Sequence, residues 1–341
     1  MRVLLLTPST FGYEIRIQDA FARIGHDVTW MDERVGNSFA TKVATRLGLL
    51  HRIPSLVGRH VDKIISQAKI SDVEQLIAIN PETLQGSEFA KIKAALPELD
   101  IVIYRWDSLA QKPVDEEMMA AASAVYSFDP ADCDRDARLR HLPLFHTYST
   151  PPSPHDKKNA EFYVSFVGTA QLRRIAVLGR LCKALNAARK PYFFHLKTQS
   201  WIHQALFWFA ARRHGYTGSL TQKQLPYDSF LKVITNSAAV VDIEFKRQSG
   251  LTMRTFEVVF SGMPLLTSNA NITRYGFYGD APIFVIDDSE LSLPDLSTFK
   301  SIGISSHFEQ YSIESWAKTL VEMLPDQNYF TDSPLRANSN D

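Results

Sequence analysis

Ser249–Asn269 reads SGLTMRTFEVVFSGMPLLTSN, and this stretch decides the predicted fold of the second half of the chain. It follows the β-branched run AAVVDI at Ala238–Ile243, which is typical of a parallel strand covered on both faces. Ser249 or Thr252 can cap a helix that begins here, because a side-chain oxygen accepts a bond from a free backbone N–H. Gly262 ends that helix, and a second apolar run follows. The pattern therefore predicts a strand, a helix and another strand.

The start of this predicted helix has the properties of an anion site. Its first turn presents unpaired N–H groups at the positive end of the helix dipole. The hydroxyls of Thr252 and Thr255 and the guanidinium of Arg254 lie on the same turn and can bind a diphosphate. Glu257 lies one turn further along, where its carboxylate can accept both hydroxyls of a ribose. The alternative is that the threonines only cap the helix and that Glu257 balances a surface Arg254.

Composition limits the class of protein. A chain of 341 residues exceeds what one hydrophobic core usually supports, so two domains are expected. The 37 basic and 37 acidic residues give a formal net charge of zero, which argues against nucleic-acid binding. Cys133 and Cys182 have no metal or redox spacing, and no stretch approaches the ~20 apolar residues of a membrane span. The N-terminal apolar run is too short for a signal peptide, so the sequence predicts a cytoplasmic protein.

The first half of the chain alternates strand and helix patterns. The first loop, Pro8–Tyr13, contains only Gly12 and lacks GxGxxG, so no dinucleotide is expected there. A helix is predicted at Glu14–Ile24. Strands are predicted at Val3–Leu6, His26–Met31, Gln75–Ile79, Ile101–Tyr104 and Ala124–Phe128. This alternation predicts a Rossmann-like domain at residues 1–150.

Carboxylates follow several of these predicted elements, at the sheet edge where open α/β proteins bind ligands. Glu82 follows the third strand, Asp107 the fourth and Asp129 the fifth. They are the candidates for a general base that activates an acceptor hydroxyl. Each can instead cap a helix or close a turn, and this is the preferred interpretation of Asp129, which precedes Pro130.

The segment DCDRD at Asp132–Asp136 is similar to a metal motif only superficially. Arginines interleave with its acids, and the glycine and glutamate that would complete a calcium loop are missing. An acidic first turn of a helix explains the segment better. The sequence also lacks a P-loop, HExxH and GxSxG, so neither a metal nor a cofactor is predicted.

The second half begins after a proline-rich linker, PPSPHDKK, at Pro151–Lys158. A strand at Tyr163–Val167 leads into the small residues Gly168, Thr169 and Ala170 and then into a helix with Arg173 and Arg174 in its first turns. The helix dipole disfavours arginine at this end, so the pair indicates a second phosphate-facing loop, with a surface role as the alternative.

The remaining elements complete a second Rossmann-like domain at residues 159–324. Its further strands are predicted at Pro191–Leu196, Leu265–Ser268 and Ile283–Ile286, and its further helices at Trp201–Arg213, Tyr227–Thr235 and Ser312–Leu324. A polar tail at residues 325–341 is expected to be disordered.

Two segments have the composition of a membrane-surface element. Ser38–Lys69 carries six cations against the single acid Asp62 beside an apolar face, and a helical pair with a basic outer face is the alternative. Trp201–Arg213, WIHQALFWFAARR, places four aromatic residues ahead of two arginines. It is predicted to be a core helix, an oligomer contact, or a helix at the headgroup level of an anionic membrane.

Short motifs along most of the chain are similar to those of a known family. They are FGYE at Phe11–Glu14, GHDV and DER between Gly25 and Arg34, WDS at Trp106–Ser108, SFDPADC at Ser127–Cys133, SFVGTA at Ser165–Ala170, GLTMRTFE at Gly250–Glu257 and NITRYGFY at Asn271–Tyr278. Their order and spacing resemble bacterial glycosyltransferases of lipopolysaccharide and capsule assembly with the GT-B architecture, including the group related to spore-maturation proteins.

The resemblance implies two Rossmann-like domains facing a cleft, with the acceptor on the first and the nucleotide-sugar donor on the second. It implies that the donor is bound by Gly168, Thr169, Arg173, Thr252, Arg254, Thr255 and Glu257, the last on the ribose. The implied function is transfer of a sugar from a nucleotide sugar to a (lipo)polysaccharide or lipid-linked acceptor. The expected location is the cytoplasm, and the two basic segments leave open a peripheral contact with the anionic inner face of the cell membrane.

The sequence departs from the family at one position. Retaining enzymes of this type often have an acid eight residues before the ribose glutamate, and Ser249 occupies that position here. Inversion or retention stays open; if the enzyme inverts, Asp107 is the first candidate base, with Glu82 and Glu14 behind it. Arginines would then offset charge on the departing diphosphate without a metal. Alternatives are a nucleotide-sugar epimerase of the same fold and a non-catalytic sugar-nucleotide-binding component of a polysaccharide assembly complex.

Overall fold

The chain folds into two compact units, each built on a parallel β-sheet. The computed structural model describes residues 1–9, 12–36, 54–110, 113–151, 160–245, 248–286, 295–296, 306–327 and 329–330. Unit 1 comprises Met1–Thr147, Lys246–Gly250 and Glu309–Tyr329, and unit 2 comprises Tyr148–Phe245, Leu251–Phe308 and Phe330–Asp341. The predicted two-domain α/β fold is confirmed.

Strands and helices alternate along most of the described chain. The strands are β1 (Arg2–Leu6), β2 (Asp27–Met31), β3 (Gln75–Ile79), β4 (Asp100–Arg105), β5 (Ala124–Ser127), β6 (Arg140–His141), β7 (Val164–Thr169), β8 (Tyr192–Lys197), β9 (Ser219–Thr221), β10 (Val240–Asp242), β11 (Leu265–Thr267) and β12 (Ile283–Val285). The helices are α1 (Tyr13–Arg23), α2 (Pro54–Ile70), α3 (Gly86–Ala95), α4 (Glu116–Ala121), α5 (Pro130–Arg135), α6 (Leu172–Ala187), α7 (Trp201–His214), α8 (Tyr227–Thr235), α9 (Met253–Phe260) and α10 (Ile313–Val321).

Both sheets have the strand order of a doubly wound fold. In unit 1 the described strands pair as β2-β1-β3-β4-β5-β6, and in unit 2 as β12-β11-β10-β7-β8-β9, all parallel. In each sheet the first strand of the unit lies inside, so the chain winds outward on both sides of it. The carboxyl ends of the inner strands therefore meet at one edge of each sheet, where open α/β folds bind ligands.

Each sheet is buried between helices, as its apolar sequence requires. The strand β3 is buried along its whole length, and the apolar strand residues pack with α2, α3 and α4 in one core. In unit 2 the strands β7, β8 and β10 pack against α6. Their runs of valine, isoleucine, leucine and phenylalanine suit strands that are covered on both faces.

The last described helix belongs to unit 1, whereas the sequence placed it in a second domain ending at residue 324. Trp316 of α10 is buried and packs edge-on against Tyr104, with ring centroids 5.0 Å apart. The hydroxyl of Tyr126 donates to the carbonyl of Leu324 at 2.7 Å. Burial of a large aromatic side chain in the core of unit 1 explains why this helix joins it.

Other predicted boundaries also differ from the observed units. The first unit ends at Thr147 instead of residue 150. Asp326, in the predicted tail, accepts a bond from the backbone N–H of His141 at 2.7 Å in unit 1. The predicted linker beyond Pro151, the first part of the basic segment at residues 38–53 and the tail beyond residue 330 lie outside the described residues.

The aromatic segment predicted at Trp201–Arg213 forms α7. Only Ala211 is buried among the residues of this helix, so its interpretation as a core helix is wrong. Nowhere in the described part of the chain is a helix both long and apolar enough to cross a bilayer.

Candidate functional site

The predicted donor residues lie at the carboxyl edge of the unit 2 sheet, where β11, β10 and β7 are neighbours. Thr169 ends β7, Asp242 ends β10, and Ser268 follows β11. Helices α6 and α9 begin at the same edge. The site is therefore formed by three strand ends and two helix starts.

The start of α9 is capped as one of the two sequence alternatives predicts. Thr252 is the N-cap residue, and its hydroxyl accepts from the backbone N–H of Thr255. Ser249, the other candidate cap, belongs to unit 1, where its backbone N–H and hydroxyl donate to Asp129. Asp129 also accepts from the N–H of Ala131 at the start of α5, which confirms its predicted capping role.

Asp242 organises the start of α9, although the sequence analysis assigned it no role. Its carboxylate is fully buried and accepts from the hydroxyls of Thr252 at 2.9 Å and Thr255 at 2.7 Å. It also forms an ion pair of 2.8 Å with Nη1 of Arg254. One carboxylate thus fixes three of the predicted donor residues. The signal available in the sequence was an acid at the end of an otherwise apolar strand.

The guanidinium of Arg254 is held from several sides. Its side chain is 14% exposed, Nη2 donates to the carbonyl of Val167, and the guanidinium carbon lies 4.6 Å from the ring centroid of Phe166. A Cβ at Gly168 would lie 3.0 Å from Nη2, so glycine permits this close approach. The geometry fixes the position of one positive charge at the end of β7.

Two further arginines lie at the start of α6. Nη1 of Arg173 donates at 2.8 Å to the carboxylate of Glu244, which also accepts from the hydroxyl of Ser268. Arg174 is buried and donates to the carbonyl of Ile243 at 3.0 Å and to both oxygens of Thr169. Burial and the nearby Arg254 charge lower the pKa of Arg174 to about 10, which leaves it protonated at neutral pH.

The edge combines positive charge with unused donors. Arg173, Arg174 and Arg254 lie near the carboxylates of Asp242 and Glu244, and the N-terminus of α9 adds the positive end of its dipole. Nε of Arg254 and Nε2 of Gln171, which precedes α6, are buried donors without an acceptor among the described residues. Buried donors are nearly always satisfied in native proteins, and water or a ligand with acceptor oxygens would satisfy these two.

The predicted donor residues differ in accessibility. Gly168, Thr169, Arg173, Thr252 and Arg254 are partly exposed at this edge. Thr255 and Glu257 are fully buried. A nucleotide does not reach these two side chains in this structure, and their predicted roles stay predictions.

The three candidate bases lie in unit 1, near the carboxyl ends of β1, β3 and β4, which are neighbours in the sheet. Asp107 is half-buried and accepts from Nδ2 of Asn80 at 3.0 Å. Asn80 has a left-handed backbone with φ of 47°, a conformation that asparagine adopts more readily than most residues. Glu82 is exposed, and Glu14 accepts from the hydroxyl of Ser9 at 2.7 Å. Glu14 and Asp107 thus each accept from a neighbouring polar side chain, and the donor to Asp107 is the asparagine that follows β3.

A buried carboxyl group that the sequence analysis did not single out lies beneath this edge. Glu33, after β2, accepts from the backbone N–H groups of Thr83 and Leu84, the latter at 2.8 Å. It thereby anchors the loop that carries Glu82. Burial raises the pKa of Glu33 from 4.5 to about 7, in spite of these hydrogen bonds, which favour the ionised form.

This raised pKa predicts a pH-dependent stability. Between about pH 4.5 and 7 the folded protein keeps the proton of Glu33 and the unfolded chain loses it, so the free energy of unfolding falls as pH rises. Glu33→Gln removes the titration and keeps an acceptor oxygen. The difference in free energy of unfolding, Glu33→Gln minus wild type, should therefore increase by about 3 kcal/mol from about pH 4.5 to about pH 8. Urea denaturation of both proteins at the two pH values measures this difference, and a constant difference would contradict the assignment.

Comparison with known proteins gives structural matches alone. No protein family and no curated protein sequence matches the chain. The lipopolysaccharide outer core galactosyltransferase WaaB, in its apo form, is similar over 95% of this chain and 99% of its own, with a TM-score of 0.58 and 10% identity. An E. coli trehalose-6-phosphate structure bound with UDP-2-fluoro glucose is similar over 95% and 98%, with a TM-score of 0.62 and 10% identity.

A UDP-GlcNAc 2-epimerase from Methanocaldococcus jannaschii shares the fold as well. The similarity covers 95% of this chain and 99% of the epimerase, with a TM-score of 0.51 and 9% identity. Together with the two parallel sheets, these similarities show that the chain has the GT-B fold. At such identities they show the fold alone.

Proposed function

We propose that this protein is a glycosyltransferase that moves a sugar from a nucleotide-sugar donor to a (lipo)polysaccharide or lipid-linked acceptor in cell-surface glycan biosynthesis. The observation that carries the proposal is the edge of unit 2, where Arg173, Arg174 and Arg254 meet the start of α9. The solved structures with the same fold include a lipopolysaccharide galactosyltransferase, which supports this substrate class.

The diphosphate of the donor binds at this edge in the proposal. Backbone N–H groups at the start of α9 and the guanidiniums of Arg173 and Arg254 can donate to phosphate oxygens, and the Thr252 hydroxyl can do so when it releases Asp242. Gly168 and Thr169 line the same edge, and a Cβ at position 168 would crowd the arginine. Thr255 and Glu257 complete the proposed site, with Glu257 on the ribose.

The chemistry follows from this placement of charge. In an inverting reaction the carboxylate of Asp107 takes the proton of the acceptor hydroxyl, whose oxygen bonds to the anomeric carbon as the bond to the diphosphate breaks. The nucleoside diphosphate leaves with the electron pair of that bond. Arg173 and Arg254 stabilise the charge that develops on it, so the proposed reaction needs no metal ion.

A thermal-shift screen with UDP-, GDP-, dTDP- and CMP-sugars tests the donor assignment. A donor present at about 100 times its Kd adds ~2.7 kcal/mol to the stability of the folded state, and we expect it to raise Tm by several degrees. Arg173→Gln should reduce this shift, because it removes a guanidinium from the phosphate site. The control Arg2→Gln, which changes an exposed arginine of unit 1, should keep it. A chain that no donor stabilises would contradict the proposal.

An epimerase is the second candidate, because an epimerase shares the fold at a TM-score of 0.51. Both activities need a bound nucleotide sugar, and they differ in the need for an acceptor. Incubation of the stabilising donor with the protein alone should leave the sugar configuration unchanged if the proposal is correct. An epimerised nucleotide sugar formed without an acceptor would favour the epimerase. A donor that binds but is not turned over, with or without an acceptor, would favour a non-catalytic component.

A further inference from the structure

The outer side of α7 is an exposed apolar surface. Trp201, Ile202, Leu206, Trp208 and Phe209 are each between 48% and 71% exposed. Taking ~200 Å² for an aromatic side chain, the three aromatic residues alone expose roughly 370 Å². The largest apolar patch on an ordinary monomer is roughly 300–600 Å², and two further aliphatic side chains extend this one.

Apolar residues occupy the outer side of α7 as well as its inner side. Surface helices normally turn apolar residues inward and polar residues to solvent. In α7 the inner side includes Gln204, whose amide donates to the carbonyl of Leu220 at 3.0 Å, and Phe207 packs against the core. The largest apolar side chains point outward. Packing within unit 2 therefore does not account for the composition of the outer side.

Positive charge lies at the C-terminal end of this apolar surface. Arg212 and Arg213 are exposed in the last turn of α7, and the guanidinium carbon of Arg212 lies 4.8 Å from the ring centroid of Trp208. Lys183 of α6 lies beside Gly215, since a Cβ at that glycine would be 2.5 Å from its Cε. We call the five apolar residues together with Arg212, Arg213 and Lys183 the aromatic-cationic surface.

The sequence around this surface is uniformly basic. Residues 162–227 contain ten lysines and arginines and no aspartate or glutamate, in a chain whose formal net charge is zero. The ten are Arg173, Arg174, Arg180, Lys183, Arg189, Lys190, Lys197, Arg212, Arg213 and Lys223. The arginines of α6 that face the donor site account for two of them. Of the other eight, Lys183, Arg212 and Arg213 lie beside the apolar surface, where their charge attracts anions.

We propose that the aromatic-cationic surface docks unit 2 on an anionic membrane surface. Tryptophan and phenylalanine side chains insert at headgroup depth, and arginines at the end of the helix contact lipid phosphates. This proposal goes beyond the sugar transfer and does not depend on it. A second copy of the chain fits less well, because a two-fold contact would bring together two patches without an acidic residue on α6 or α7.

Co-sedimentation with lipid vesicles tests the proposal on the full chain in the absence of any sugar nucleotide. We expect binding to vesicles of phosphatidylcholine and phosphatidylglycerol, weak binding to phosphatidylcholine alone, and a decline with added salt. Arg212→Glu with Arg213→Glu should weaken binding by about 25-fold or more, because each cation near an anionic surface contributes roughly fivefold. Trp201→Ser with Phe209→Ser should weaken it by about tenfold or more.

Matched controls separate this surface from general charge and hydrophobicity. Lys91→Glu with Arg135→Glu changes the net charge equally at exposed residues of unit 1, and Ile15→Ser with Ile70→Ser removes two exposed aliphatic side chains there. Both controls should bind vesicles like the wild type. Unchanged melting temperatures of all variants would show that folding is intact.

Tryptophan quenching gives a second readout. Lipids brominated in the acyl chains should quench the fluorescence of the wild type, and Trp201→Phe with Trp208→Phe should lose that quenching while still binding vesicles. Failure of the wild type to bind anionic vesicles would overturn the proposal. Vesicle binding that is unchanged in the α7 variants would also overturn it. If these variants lose self-association in sedimentation velocity but keep vesicle binding, the surface binds a second copy of the chain instead of a membrane.

Discussion

Asp242→Ala should lower the free energy of unfolding by about 3–5 kcal/mol, which is the usual cost of removing one partner from a buried ion pair. The carboxylate is fully buried, and its partner Arg254 is only 14% exposed. Removing it leaves the guanidinium charge without its counterion and takes the acceptor from the hydroxyls of Thr252 and Thr255. Urea denaturation followed by far-ultraviolet circular dichroism measures the change.

A matched control distinguishes this effect from the loss of any ion pair. Asp72→Ala breaks the pair with Arg2, in which the aspartate side chain is 87% exposed, and should cost at most about 1 kcal/mol. Asp242→Asn with Arg254→Met removes both charges and should recover part of the loss, because no buried charge remains. Equal costs for Asp242→Ala and Asp72→Ala would show that Asp242 does not hold the start of α9.

The same substitution connects stability to the proposed activity. Asp242 orients Thr252 and Arg254, which are proposed to bind the donor diphosphate. Asp242→Asn keeps the size of the side chain and loses its charge, so Arg254 is expected to shift and the thermal stabilisation by the donor to decrease. The carboxylate therefore acts through its neighbours, as a positioning residue.

Much of the fold follows from local sequence pattern. The boundaries of β3 match the prediction at Gln75–Ile79, because this apolar run is bounded by charged and turn residues and is buried on both faces. The strands β6 and β9 were not predicted, since they have two and three residues and include Arg140 and Thr221. Short edge strands carry little periodicity, so neighbouring strands determine them more than their own residues do.

Tertiary packing decides what the local pattern leaves open. The pattern at Ser312–Leu324 predicts a helix but contains no information about which core it joins, and Trp316 is buried in unit 1. The aromatic content of α7 was evident, but its outward direction was not, because apolar residues occupy nearly every side of that helix.

The sequence predicted the arginines of the candidate site but not the carboxylates that pair with them. Arg173 and Arg254 stand out in the sequence because helix starts rarely carry arginine. Their partners Asp242 and Glu244 lie at the end of a strand whose other residues are apolar, and the pairing of Arg173 with Glu244 depends on the neighbouring positions of β7 and β10. The roles of residues that bind each other across a sheet edge become visible only when the strand order is known.

Asp107→Asn should reduce kcat by about 10²- to 10⁴-fold if Asp107 is the general base of an inverting transfer. The amide keeps the size of the side chain, while it cannot take the proton of the acceptor hydroxyl. Because Asp107 lies in unit 1 and the proposed donor site in unit 2, thermal stabilisation by the donor should be unchanged. The measurement is release of nucleoside diphosphate from the stabilising donor in the presence of a membrane extract that contains lipid-linked glycans.

The other acids of the same sheet edge provide the controls. Glu82→Gln and Glu14→Gln make the same chemical change at neighbouring strand ends and should leave kcat within about threefold of the wild type, since the general base is a single group. Asn80→Ala removes the amide that donates to Asp107 and should lower kcat less than Asp107→Asn does. If Asp107→Asn is fully active and Glu82→Gln or Glu14→Gln is not, the general base is the glutamate whose substitution lowers activity. If all three variants are fully active, the general base is none of these acids.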